Sequence, residues 1–285
     1  MSKQPVVSIG IPTYNRHASL KKTIESVLSQ TYKNLEILIS DNCSTDNKTE
    51  KVVKDFLKKD RRIHYYRQEK NQGATRNFQF VLDKSSGDYF MWLADDDWID
   101  NDWIFRCVDF IQNKDFEFSI VSGITRFDDD AVNTRSDIED LDIILDNKYK
   151  RIIKFYKNVQ FCNIYYGLIP MKYAKEIKCE HQLADDWLIS ARMLFSGKSK
   201  IINDVYSHRA QGVSKDLVSL GKYHGIKKLT DTNFPFYIAY GASRDILKNP
   251  FYKKRISFLK RLIFAVVIYC VIICRYSVIF IKKRI

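Results

Sequence analysis

Paired cysteines are missing from this sequence: Cys43, Cys107, Cys162, Cys179, Cys270 and Cys274 are scattered, with no CxxC among them. Nothing here asks for a disulfide framework or a zinc site, and a reducing compartment is expected. Cys270 and Cys274, four apart in an apolar run, suit one face of a helix instead. A signal peptide is not expected, because the chain enters an apolar strand at Val6–Ile11 almost at once. Internal repeats and low-complexity segments are absent as well. Carboxylates are missing from one region: from Lys248 onward there are ten Lys/Arg and no Asp/Glu.

That last absence locates the charge. Of the net +13, only +3 falls on residues 1–247. Nucleic acid would need a basic surface on the body of the protein, so it is excluded as a partner. The basic tail also holds the apolar run from Leu262 to Cys274, a pairing that reads as membrane contact through anionic lipid and insertion. Leu262 to Ile281 spans twenty residues, interrupted only by Arg275 and Ser277. A bilayer core takes about twenty. Arg275 lies near the end and could snorkel. Basic residues flank both sides, so charge sets no orientation, and a full span and a shallow insertion both remain open.

With 285 residues and 45% hydrophobic content, the chain can bury a substantial core. Its first hundred residues alternate strand and helix: Val6–Ile11, a helix through Leu20, Ile24 and Val27, then Leu35–Ser40. A helix through Val52 and Phe56, a strand at Ile63–Tyr66, a helix through Phe78 and Val81, and a strand at Tyr89–Ala94 follow. Such order predicts an α/β fold with a mostly parallel sheet covered on both faces. Ligands bind such sheets beyond the carboxyl ends of the strands. Three polar clusters fall there: Pro12-Thr13-Tyr14-Asn15-Arg16, Asp41 to Asp46, and Asp95-Asp96-Asp97. The last is the most informative, since three adjacent carboxylates at the end of a buried strand repel one another unless a cation lies between them. Their hard oxygens suit Mg²⁺ or Mn²⁺, which usually also holds substrate phosphates.

Val7 to Arg16, the helix ending Ser26 to Tyr32, Leu35–Asp46, Asn71-Gln72-Gly73 and Asp95-Asp96-Asp97-Trp98 occur in this order. Together they resemble the family 2 glycosyltransferases of Rossmann-like GT-A fold, over roughly residues 5–215. The resemblance implies inverting transfer from a nucleotide-sugar with Mn²⁺ or Mg²⁺. It places Pro12, Thr13, Tyr14 and Asn15 in the loop that lines base and ribose, and makes Asp41 the acceptor of the base imide, favouring UDP- or dTDP-sugars. Asp46, Asn71, Gly73 and Arg76 become donor contacts. Aligned on Trp98, the metal carboxylate is Asp96 with Asp97 beside it, and Ala94 stands where the family has its first Asp; spacing alone would choose Asp95 and Asp97. That register stays open.

Downstream, Ala184-Asp185-Asp186-Trp187 opens an apolar-periodic segment and resembles the family's acidic motif at a helix start. The match makes Asp186 the base and Asp185 an orienting or acceptor-binding acid. Val205 to Ser214 resembles the segment that can supply a His or Arg near the diphosphate, here His208 as a metal or phosphate contact. The Gln-x-x-Arg-Trp signature of processive enzymes is absent, which favours transfer of one sugar. The expected organisation is a catalytic domain at 1–225, with nucleotide-sugar binding at 1–100 and the acceptor side at 101–225. Membrane-associated helices at 226–285 would complete it. The expected activity is transfer to a saccharide, lipid-linked, in surface polysaccharide assembly at the cytoplasmic face of the cell membrane. Polyprenyl-phosphate transfer and a catalytically silent, membrane-attached nucleotide-sugar binder are the rivals.

Overall fold

The computed structural model describes residues 4–114, 117–127, 141–210 and 217–282. Strand β1 (Val7–Thr13) is buried along its whole length and pairs in parallel with β2 (Leu35–Asp41) and β4 (Tyr89–Trp92). β2 pairs in parallel with β3 (Ile63–Arg67). Such uninterrupted apolar runs belong to strands covered on both faces. Crossovers run through α1 (His17–Leu28), α2 (Asn47–Leu57) and α3 (Ala74–Lys84). Leu20, Ile24 and Val27 are the buried apolar side chains of α1, at the helical spacing that the sequence predicts. Gly10 is what lets α3 close on β1, since a Cβ there would lie 2.6 Å from Val81 Cγ2.

The second half adds β5 (Trp98–Ile99), α4 (Trp103–Gln112), β6 (Phe118–Phe127), α5 (Lys148–Asn158) and β7 (Ile169–Pro170). Helix α6 (Met171–Ala174), α7 (Asp185–Ser196) and β8 (Lys198–Arg209) follow. β7 extends the first sheet antiparallel to β4, giving the order β3-β2-β1-β4-β7, while β5-β8-β6 form a second sheet. The apolar runs in the sequence do not predict β8, and Gln211 to Ser214, the end of the matched segment from Val205, lie outside the described residues.

The chain closes with α8 (Leu217–Tyr223), α9 (Phe234–Lys248), α10 (Pro250–Lys253) and α11 (Phe258–Lys282). Helices α9, α10 and α11 share one hydrophobic cluster with α5 and α7. Phe264, Ala265, Ile268 and Ile272 of α11 are buried, and Tyr149 meets Phe264 edge-on at 5.0 Å. Arg192 of α7 forms a two-point ion pair with Asp245 of α9, at 2.7 and 3.1 Å. Arg275 does not snorkel: its Nη1 donates to the Tyr156 carbonyl at 3.1 Å, turned toward the protein. Among the described residues one stretch, Phe258–Ile279, is long and apolar enough to cross a membrane.

Candidate active site

The parallel strands β1, β2 and β4 deliver their carboxyl ends to one rim, and a cavity of about 520 Å³ opens there. Pro12, Thr13 and Tyr14 form one wall, Asn71 and Gly73 another, and Asp95, Asp96 and Asp97 the third. Gly73 has φ +83°, a left-handed conformation that only glycine adopts cheaply, and it starts α3 beside the cavity. The Asn71 side-chain oxygen accepts from Asn42 Nδ2 at 2.9 Å and from the Gly73 N–H at 2.8 Å, which locks two loops together.

The three aspartates divide between two arginines. Arg16 Nη1 bonds Asp96 and stands 3.5 Å from Asp95 Oδ1. Asp97 turns the other way: its Oδ1 accepts the Ala210 N–H at 3.1 Å and its Oδ2 lies 3.5 Å from Arg209 Nε. Burial pushes the Asp95 carboxyl up to about 6, Asp96 adds to it, and Thr13, Arg16 and the Tyr14 N–H oppose it. Burial likewise pushes Asp97 up to about 7 against the pull of Arg209, with Asp96 and Asp95 raising it further. Crowded carboxylates held partly protonated in this way fit a divalent cation. Among the described residues no group of three or more His, Cys, Asp or Glu could hold a metal alone. The donor set therefore suits a cation fixed by one or two carboxylates and completed by substrate phosphate oxygens.

A second cavity of about 420 Å³ adjoins the first, sharing Phe78, Tyr166 and Tyr223 with it. Asp185 and Asp186 line it. Ala184 precedes them with φ 58°, left-handed although not glycine, and this turn sets both acids in the first turn of α7, where the helix dipole favours negative charge. Asp185 Oδ2 accepts the Glu180 N–H at 2.8 Å, and burial pushes its carboxyl up to about 7. Arg209 lines the first cavity and its charge also acts on Asp186 of the second. Burial opposes its charge, and Tyr166, Asp97 and Asp186 outweigh that opposition. Its guanidinium lies 4.7 Å from the Tyr166 ring centroid and donates to Asn163 Oδ1 at 3.2 Å.

Five of the expected residues stand elsewhere. Asp41 is fully buried beneath the rim, where its carboxylate accepts from the Ser44 N–H at 2.7 Å and the Tyr65 hydroxyl at 2.8 Å. Asn42, the next residue, lines the cavity instead. Asp46 is the N-cap of α2, accepting the Thr49 N–H at 2.8 Å. Asn15 accepts the Thr45 N–H at 2.8 Å and so ties the first loop to the second. Arg76 is exposed on α3 and does not line the cavity, whereas buried Asn77 does. His208 bonds Asp100 at 2.9 Å and stacks on Trp98, away from the aspartates; because side chains alternate along a strand, Arg209 is the one that faces them. Arg16, Asn42 and Arg209 lie inside the matched motifs without a role assigned to them there, and Asn77 lies outside those motifs.

The family described as "Glycosyl transferase family 2" matches residues 8–177. Over 94 residues the chain is 42% identical to a GalNAc(5)-diNAcBac-PP-undecaprenol beta-1,3-glucosyltransferase of Campylobacter jejuni, covering 33% of this chain and 30% of that protein. Over 98 residues it is 37% identical to glycosyltransferase GlyA of Streptococcus pneumoniae, covering 34% of this chain and 14% of that one. The chain thus spans less than a third of the length of either relative. The fold is similar to that of S. aureus TarS 1–349 in complex with UDP-GlcNAc, at TM-score 0.63 and 16% identity over 93% of this chain and 72% of that one. It is also similar to a Pyrobaculum calidifontis mannosyltransferase in complex with GDP-Man and Mn²⁺, at TM-score 0.57 and 14% identity over 99% and 80%. The GT-A architecture expected from the motifs is the one observed.

Proposed function

Since the chain belongs to glycosyl transferase family 2, we propose that it moves one sugar from a UDP- or dTDP-sugar to a lipid-linked saccharide, with inversion, during surface polysaccharide assembly. The observation that carries this reading is the pair of adjoining cavities, one walled by Asp95–Asp97 and Arg209 and the other by Asp185 and Asp186, with Phe78, Tyr166 and Tyr223 common to both. A nucleoside diphosphate fits the first and a saccharide the second. Aromatic walls such as Phe78, Tyr166 and Tyr223 give the apolar faces on which sugar rings pack.

Tyr14, Asn42 and Asn71 border the part of the donor cavity suited to base and ribose, and Arg16 and Arg209 bring positive charge to the diphosphate. Asp95 and Asp96 converge on the same guanidinium, so they are the pair that would hold Mn²⁺ or Mg²⁺, with Asp97 set against Arg209. When bound, the cation neutralises charge on the departing diphosphate. Asp186 accepts the acceptor hydroxyl proton as that oxygen bonds to the anomeric carbon and the bond to the diphosphate breaks. Asp185 positions the Glu180 loop beside it. The relative named for an undecaprenol-linked substrate supports a lipid-linked acceptor, and we place the work at the cytoplasmic face of the cell membrane. A donor screen by nucleoside-diphosphate release, with Mn²⁺ and with Mg²⁺, tests the reading. Release from none of the uridine or thymidine donors would overturn it.

A further inference from the structure

Helix α11 has two different sides. Arg261, Phe264, Ala265, Ile268, Ile272 and Arg275 face the domain. The opposite side carries Phe258, Leu259, Leu262, Ile263, Val266 and Val267, each 37–65% exposed, and continues through Tyr269, Cys270, Cys274 and Val278. At 1.5 Å per residue this apolar strip is about 30 Å long. Soluble monomers rarely leave a strip of this size to water, and exposed apolar patches this large mark protein or membrane contact sites. Beside it runs α9, antiparallel, joined by the Ser243 hydroxyl donating to the Ala265 carbonyl at 2.9 Å and by Phe234 against Tyr276 at 6.0 Å. α9 adds exposed Phe236, Tyr237 and Tyr240.

The charge around this strip has one sign. Arg244, Lys248, Lys253, Lys254 and Lys260 are exposed, and the only carboxylate in α9 to α11, Asp245, is buried against Arg192. A second copy of the chain would bring the same basic rims together; an anionic bilayer is complementary to them. The mode follows from the packing. To cross a bilayer, α11 would have to leave the domain, expose Phe264, Ile268 and Ile272, and break the bonds of Arg261 to the Leu247 carbonyl and Arg275 to the Tyr156 carbonyl.

We propose that α9 and α11 form an in-plane docking face for anionic lipid bilayers, with α11 lying along the surface and its outer side buried in the interface. This deepens the proposed function and rests on it for the acceptor: Phe234, which lines the cavity of Asp186, meets Tyr276 of α11 edge-on, so the acceptor cavity sits at the rim of the membrane face.

The test uses the full chain with phosphatidylcholine vesicles, with and without phosphatidylglycerol. Flotation is expected with the anionic vesicles and at least tenfold less with the neutral ones. Leu262→Glu/Ile263→Glu/Val266→Glu, all at exposed positions, should lose flotation while keeping wild-type UDP affinity by calorimetry. For the mode, a fluorophore at Leu259→Cys or at native Cys270 should be quenched equally by shallow brominated lipid. The two positions lie about 16 Å apart along the helix, so a spanning helix would put one at the interface and the other near the midplane. Unequal depth, undiminished flotation of the triple variant, or a stable dimer that the triple variant dissolves would each overturn the proposal. Flotation is read without turnover, so a failed sugar-transfer assay leaves it standing.

Discussion

Replacing Asp245 by Ala tests whether the C-terminal helices are part of the catalytic fold. Arg192 and Asp245 are 2% and 4% exposed and meet at two points, 2.7 and 3.1 Å. Without the carboxylate, Arg192 keeps the Lys178 carbonyl at 3.2 Å and the Glu180 carboxylate at 3.6 Å, the latter a half-exposed partner. An uncompensated buried charge costs about 3–5 kcal/mol, against a total stability of about 5–15 kcal/mol for a domain. Urea unfolding followed by circular dichroism should therefore show a much lower midpoint with an unchanged slope. The paired change Arg192→Met/Asp245→Leu removes both charges and should come back to within about 1–2 kcal/mol of wild type, because desolvating the pair offsets most of its attraction. Arg192 lies on the same helix as Asp185 and Asp186, so the single variant should also lose transfer. A shift below about 1 kcal/mol, well short of the buried-charge cost, would refute the reasoning, as would a paired variant no more stable than the single one.

Four further outcomes are expected. Asp96→Ala and Asp97→Ala should each remove most turnover, measured with Mn²⁺, with Mg²⁺ and after EDTA; full activity in EDTA would reduce the cluster to a structural turn. Asp186→Asn should abolish transfer and leave UDP affinity near wild type by calorimetry, with Asp185→Asn retaining more transfer. Because the folded Asp185 carboxyl is raised to about 7, the folded state holds its proton longer than the unfolded chain does, so wild type loses stability relative to Asp185→Asn as pH rises from about 4 to 7, and urea midpoints at pH 4 and pH 8 check the sign. Asp41→Ala should lower stability by roughly 1–3 kcal/mol through the Ser44 N–H and Tyr65 hydroxyl left without an acceptor, and a normal urea midpoint combined with lost UDP preference would restore its direct role at the base.

The sequence made the strands and the rim legible because buried parallel strands need continuous apolar runs, and their polar ends stand out at once. β1, β2, β3 and β4 lie within a few residues of where their apolar runs fall. What it hid was side-chain direction. His208 and Arg209 are adjacent, and only the pairing of β8 with β5, Trp98 opposite His208, decides which of them faces Asp97. Arg76 and Asn77 differ by a 100° turn of α3, enough to put one in water and the other under the cavity. Asp41 fits the motif by position, yet the chain's turn through Cys43, left-handed at φ 64°, brings the Ser44 N–H onto its carboxylate and draws it inward.

The apolar tail left its mode of attachment open for a different reason. Composition records that Leu262 to Ile281 could cross a bilayer, and it cannot record that one side is already taken. Phe264, Ile268 and Ile272 repeat at intervals of four, a helical stripe, but on a helix apolar all round that stripe is invisible. Arg275 marks it, since an arginine on the lipid side would be costly and here it bonds the Tyr156 carbonyl. Removing residues 250–285 would strip this stripe from α5 and α9, so truncation would unfold the acceptor side together with the membrane face. Point changes on the outer side are the ones that separate attachment from catalysis.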